Sequence, residues 1–312
     1  MVLGPDGSRR QLALAAGQGG WFQDPSWSPD GQQLAYVSVA WPQAPPRAAP
    51  SAGPPQVQWP SAEIVLLRPW EAGAPAMVVW PETQQEALLS PTWSADGATL
   101  HVVRRRRPDP AGAPLAVADL VRIDLRAQQR AVLDTGVAPR EVSAARDGTL
   151  AVIGTIASAP VGTAPDRLTP IAPDGTQREL ASAETLQFLS TPRFDASGAR
   201  LAFMAGSADP PSAGAPPDGR QTMPAGWTAP RVSTAYAHGL IGWPWVADVA
   251  SGILRQVGVA GFDDVSGMAW VPDGTLLLLD GTGLALVDPA GSTQRLSGVA
   301  GYGLALSPAR RS

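Results

Sequence analysis

The chain has 312 residues, 44% of them apolar, which is enough to bury a sizeable core in one large or two ordinary domains. A formal net charge of −4 withholds the basic surface that general nucleic-acid binding needs. The absence of cysteine excludes disulfides and thiolate metal sites, and no apolar run approaches the roughly 20 residues that span a bilayer.

Taken from the N-terminus, residues 1–3 and 10–14 flank Gly4-Pro5-Asp6-Gly7 and form an expected hairpin. No basic segment followed by an apolar run precedes it. Next comes Pro25-Ser26-Trp27-Ser28-Pro29-Asp30-Gly31, followed by the apolar run Leu34-Ala35-Tyr36-Val37. Gly supplies the positive φ of a tight turn and Asp can bond its own turn backbone, so each such unit predicts a strand, a turn and a second strand. The segment recurs as Pro91-Thr92-Trp93-Ser94-Ala95-Asp96-Gly97, then as Val142-Ser143-Ala144-Ala145-Arg146-Asp147-Gly148. Further copies are Pro192-Arg193-Phe194-Asp195-Ala196-Ser197-Gly198 and Met268-Ala269-Trp270-Val271-Pro272-Asp273-Gly274. A sixth begins as Ala305-Leu306-Ser307-Pro308 and stops. Ala144 replaces the aromatic and Ser197 the turn Asp, so the third and fourth units are expected to be looser.

A second hairpin follows in most units, as in Leu284-Ala285-Leu286-Val287, the turn Asp288-Pro289-Ala290-Gly291 and Thr293-Gln294-Arg295-Leu296. Each unit therefore has four strands, a to d from the inside outwards. A lone four-stranded sheet with two apolar faces cannot bury both, so such units stack face to face and close into a ring. The expected fold is all-β: a single domain over residues 1–312, a six-bladed β-propeller of four-stranded antiparallel blades. Its sixth blade is shared between the termini and lacks strand b, which places the expected true start of the chain upstream of Met1.

These Trp-Ser-Pro-Asp-Gly repeats resemble those of TolB-type β-propellers, which also occur in prolyl-oligopeptidase-like peptidases. The resemblance covers nearly the whole chain and implies an exported, periplasmic bacterial protein that binds other molecules. The use of Arg alone among 23 basic residues, together with the lack of Asn, fits a GC-rich bacterial genome. A monomer is expected.

Loop length points to a site. The long segments, at about residues 39–62, 105–118, 155–165 and 206–239, all join strands b and c and so fall on one face of the ring. Two of them carry Trp41, Trp59, Trp227, Tyr236 and His238, candidate anchors for a protein, peptide or glycan. Their Pro/Ala/Gly-rich composition reads equally as decoration. Arg104, Arg105 and Arg106 of the run ending at Arg107 leave strand b towards the same face, either as a solvated charge run or as contacts for an acidic partner.

No GxSxG elbow, HExxH helix or phosphate-cradling loop appears, so no catalytic residue, metal ligand or cofactor is assigned. His101 sits mid-strand, where other units have Ala, and reads as structural. Asp263-Asp264 read as loop residues or as part of a Ca²⁺ site. The leading expectation is a non-catalytic binding or scaffold module. The alternative is a carboxylate-dependent hydrolase or lyase with its site at the mouth of the central channel.

Overall fold

The computed structural model describes residues 2–3, 9–10, 21–40, 61–71, 76–79, 83, 86–106, 118–157, 164–206, 241–257, 262–263, 265–280, 283–296 and 304–306. They form five four-stranded antiparallel blades, each a meander in chain order. Blade 1 consists of Trp21–Trp27, Leu34–Ala40, Ser61–Leu67 and Met77–Val79. In blade 2 the strands are Glu86–Trp93, Thr99–Arg106, Ala118–Asp124 and Gln129–Leu133. Val137–Ala144, Leu150–Ile156, Arg167–Ile171 and Ala181–Ser182 make blade 3. Blade 4 runs Leu189–Phe194, Arg200–Ala205, Ile241–Asp248 and Leu254–Gln256, with Phe262–Asp263 pairing to the start of its third strand. Gly267–Trp270, Leu276–Asp280, Gly283–Val287 and Thr293–Leu296 complete blade 5.

The expected count of six is corrected to five. The terminal segments build a two-stranded hairpin, Val2–Leu3 with Arg9–Arg10, and Leu304, Ala305 and Leu306 take no strand conformation. With two-residue strands at one end and no ladder partner at the other, these segments do not make a four-stranded sheet. The terminal hairpin itself lies where the turn residues place it.

Each marker repeat folds into the same a–b turn. Gly31, Gly97, Gly148, Gly198 and Gly274 all have φ between 67° and 89°. Each donates its N–H to a carbonyl three residues back, from Ser28, Ser94, Ala145, Asp195 and Val271, at 2.8 to 3.1 Å. Blade 4 keeps this turn by exchanging two residues. In blades 1 and 2, Ser28 and Ser94 donate to Asp30 and Asp96, each at 2.6 Å. In blade 4 the Asp comes first, and Ser197 donates back to Asp195 at 2.8 Å.

Between blades the packing is apolar. Leu100, Val102, Ile64 and Trp93 join blades 1 and 2, while Val103, Leu120, Val142 and Val152 join blades 2 and 3. Ile153, Leu168, Leu201 and Phe203 fill the next seam, and Met204, Met268, Leu276 and Leu278 the one after. The b-to-c intervals 41–60, 107–117, 157–166 and 206–240 all leave the ring face opposite the a–b turns, as loop length led us to expect.

Leu278 has no exposed surface and packs in the seam between blades 4 and 5. Leu278→Ala is expected to lower the unfolding free energy by about 2–5 kcal/mol through lost burial and a residual cavity. Ile253→Ala, at a side chain 68% exposed, is expected to change it by less than about 0.5 kcal/mol in the same urea titration.

Candidate functional site

The five a strands line a cavity of about 1730 Å³ that extends to residues of the a–b turns. Counting from the marker aromatic places the same two register positions of every blade around the axis. Three residues before it stand Asp24, Ser90, Glu141, Thr191 and Gly267; one residue before it stand Ser26, Thr92, Ser143, Arg193 and Ala269. All five of the second set line the cavity, and so do Asp24 and Ser90 of the first.

The first set links blade to blade. Asp24 Oδ2 accepts the Ser90 N–H at 3.2 Å, Ser90 Oγ accepts the Val142 N–H at 3.2 Å, and Glu141 Oε2 accepts the Thr191 N–H at 2.6 Å. These bonds fall at irregularities in strand a, where Asp24, Ser90 and Thr191 all have φ of 51° and the a–b register slips. The marker Trp residues add a second link. Trp93 Nε1 donates to the Ser26 carbonyl of blade 1 at 3.0 Å, and Trp270 Nε1 to the Arg193 carbonyl of blade 4 at 2.9 Å. Blade 3 has no indole, and there the Ala144 N–H donates to Thr92 Oγ1 at 3.1 Å instead.

Charge collects in this inner zone. Burial pushes the Asp24 carboxyl up to about 6, helped by the Glu141 charge and opposed by Arg193, the Ser90 N–H and Arg105. Although it faces the cavity, protein surrounds Asp24 closely enough for desolvation to dominate. Burial lowers the Arg193 guanidinium, against the pull of Asp24 and Glu141. Glu141 is held by Arg140 at 3.0 Å, and Arg140 also reaches Asp166 at 2.9 Å and the Leu189 carbonyl.

Of the residues nominated from sequence, Arg104, Arg105 and Arg106 are described. Arg104 is 13% exposed and pairs with Asp119 at 2.8 Å and Glu86 at 3.7 Å, while Arg106 pairs with the same Asp119 at 2.6 Å. Burial raises the Asp119 carboxyl, but the hydrogen bonds from Arg104 and Arg106 outweigh it and hold the group below its usual range. Arg105 acts differently, since its field reaches Asp24. Trp41, Trp59, Trp227, Tyr236 and His238 lie outside the described residues, as do Arg107 and Asp264. Asp263 pairs with Ile241 in a two-residue ladder. Among the described residues no three His, Cys, Asp or Glu side chains gather as a metal site.

Asp24 and Arg193 escaped the sequence reading because Asp24 precedes the marker repeat and Arg193 fills a variable position within it. The signal lay in the column: a charge replaces the hydroxyl of Ser26, Thr92 and Ser143 only in blade 4.

His101 gives the inner charge an opponent in pH behaviour. It lies mid-strand opposite Thr92 and Arg122, its Nδ1 is buried without a hydrogen-bond partner, and burial, with Arg122 second, lowers it to about 4. A folded pKa below the unfolded one makes His101 favour folding above about pH 6.5, and that contribution is lost as pH falls to about 4. Asp24, with its folded pKa raised, favours folding below about pH 4, and that contribution is lost as pH rises through about 6. Each effect is of order 3 kcal/mol, so they oppose one another across the same window. Asp24→Asn is therefore expected to make stability climb more steeply from pH 4 to 6.5 than in the parent chain, as read by urea unfolding at each pH. An unchanged slope would show that Asp24 titrates normally. The slope is the readout because Arg193 also loses a counter-charge in this variant.

No protein-family model matches the sequence, and a search of curated proteins finds no significant match. Solved structures do match in fold. A gluconolactonase of Xanthomonas campestris aligns over 92% of this chain and 79% of its own, with 13% identity and a TM-score of 0.51. TolB from Acinetobacter baumannii aligns over 88% of this chain with 13% identity and a TM-score of 0.45, and this chain spans 56% of it. A puromycin-hydrolyzing peptidase of Mycobacterium tuberculosis aligns over 88% of this chain and 36% of its own, with 14% identity and a TM-score of 0.44. The chain is thus a β-propeller of four-stranded antiparallel blades, with TolB proteins among its structural neighbours.

Proposed function

We propose that the chain is a non-catalytic binding module that receives a segment of protein, peptide or glycan in its axial cavity. One observation supports this above others: a space of about 1730 Å³ lined by Trp27, Trp93, Phe194 and Trp270 together with polar groups that include Asp24, Ser26, Thr92, Ser143 and Arg193. Ligand sites are concave and aromatic with sparse, oriented polar atoms, and small-molecule pockets are typically about 300–1000 Å³. The larger volume suits a polymer segment. A ring fixed by blade-to-blade links also needs little ordering on binding.

The face bearing the long b–c loops is the second surface in this proposal, with Trp41, Trp59, Trp227, Tyr236 and His238 as its anchors and Arg104, Arg105 and Arg106 at its edge. A bacterial source and a periplasmic address belong to the same reading. No helix among the described residues is long and apolar enough to cross a membrane.

A carboxylate-dependent hydrolase or lyase is the second reading, and a specific observation favours it. Asp24 holds its proton up to about pH 6 beside a second carboxylate, the property asked of a general acid.

Selection of a displayed peptide library against the chain tests the binding proposal. Binders are expected to lose tenfold or more affinity when Ser26→Trp projects an indole into the cavity. Loss instead on deletion of residues 206–239 would move the site to the loop face, and indifference to both changes would remove the proposal. Turnover of a lactone or ester, abolished by Asp24→Asn, would establish the enzyme reading in its place.

A further inference from the structure

The second register set is chemically uneven. Ser26, Thr92 and Ser143 bring hydroxyls to the cavity, Ala269 brings a methyl, and blade 4 alone brings a cation, Arg193. The guanidinium spends one donor on a neighbouring carbonyl, Nη1 to Pro192 at 2.7 Å. Among the described residues no carboxylate lies within 4 Å of it, and Nε and Nη2 have no protein acceptor. Glu141 is held by Arg140 and the Thr191 N–H, and Asp24 by the Ser90 N–H. The hydroxyls of Ser26 and Ser143 are likewise without hydrogen bonds in the protein. Arg193 is half-buried and turns its donors to the cavity, with Asp24 and Glu141 as the opposite charges that act on it, and the planar fork fits two oxygens of one group.

We infer that the floor of the axial cavity is a carboxylate-binding subsite, in which Arg193 takes both oxygens of the ligand carboxylate and the Ser26 and Ser143 hydroxyls add donors around it. The aromatic walls nearer the mouth then receive the apolar part attached to that carboxylate. This assignment rests on the reading of the cavity as the binding site and names the chemistry it selects. Asp24, on blade 1, sets a limit: its charge opposes the ligand, so a second cationic or hydroxyl group on the ligand is accommodated there. A purely cationic ligand would instead be drawn to Asp24 and repelled by Arg193.

The test uses 3-phenylpropanoate and its amide as probes of the intact chain, followed by calorimetry and by the fluorescence of the cavity tryptophans. The acid is expected to bind saturably and at least tenfold tighter than the amide. Arg193→Gln is expected to erase that preference, Arg193→Lys to keep part of it through charge without the fork, and Asp24→Asn to keep or sharpen it. An N-acetylated tripeptide ending in Phe, as free acid and as amide, distinguishes the two sources of the group. Tighter binding of the peptide acid assigns the subsite to a chain terminus, and tighter binding of 3-phenylpropanoate assigns it to a small organic acid. Equal affinity for acid and amide, absence of binding by either acid, or a preference unchanged in Arg193→Gln would overturn the inference. Because acid and amide are compared on the parent chain, instability of a variant does not blur the result. Library binders lost on Ser26→Trp but indifferent to C-terminal amidation and to Arg193→Gln would leave the cavity as a binding site while removing the carboxylate.

Discussion

Blades 1 to 4 are tied in series by a side chain of one blade accepting a backbone N–H from the next. At the innermost strands Asp24 holds Ser90, Ser90 holds Val142, and Glu141 holds Thr191. Left-handed backbone at a non-glycine residue costs of order 1–3 kcal/mol, and most for a β-branched residue such as Thr191. That cost persists because the bulged conformation turns an N–H, which a regular ladder would consume, towards the neighbouring blade. Apolar faces alone would let the sheets stack at many angles; these bonds select one. The same residues supply the cavity with its charge, so the bonds that tie blades 1 to 4 together also make the centre polar.

A tension follows between assembly and recognition. Asp24 is a staple first, and its raised pKa is a by-product of being buried where the staple must sit. Arg193 has the weaker structural claim. Its carbonyl receives Trp270 as any residue's would, and small hydroxyl residues serve at the same register elsewhere. The side chain at that position is therefore free to answer to a ligand, whereas the one two residues earlier is constrained by its neighbours.

Much of the architecture was legible because its signals are local. An Asp-Gly turn is readable wherever it stands, and four such turns with one Ser-Gly variant, spaced a blade apart, imply the sheets between them. Even the exchange of Asp195 and Ser197 preserves the local chemistry, so the weakened motif did not mean a weakened turn. Blade number was misjudged at the ends, where the count rested on marker fragments and not on complete sets of strands. Those fragments fold as a two-residue hairpin and as residues without a ladder. The cavity was hidden for another reason. Its residues sit at variable positions of repeats that are 50 or more positions apart, and they converge only when the blades share an axis. The described cavity opens beside the short turns, at the other end of strand b from the long loops.

The two indole links run one way, from a blade back to the one before it. Trp93 of blade 2 and Trp270 of blade 5 each find a carbonyl there, whereas Trp27 makes no such bond among the described residues. It lies flat on Trp70 of its own blade, centroids 5.6 Å apart, while Trp70 donates to the Gly31 carbonyl. Blade 1 is thus held at its marker by stacking where blades 2 and 5 have a bond to a neighbour, and a molecule that offered Trp27 an acceptor would add the link that this position lacks.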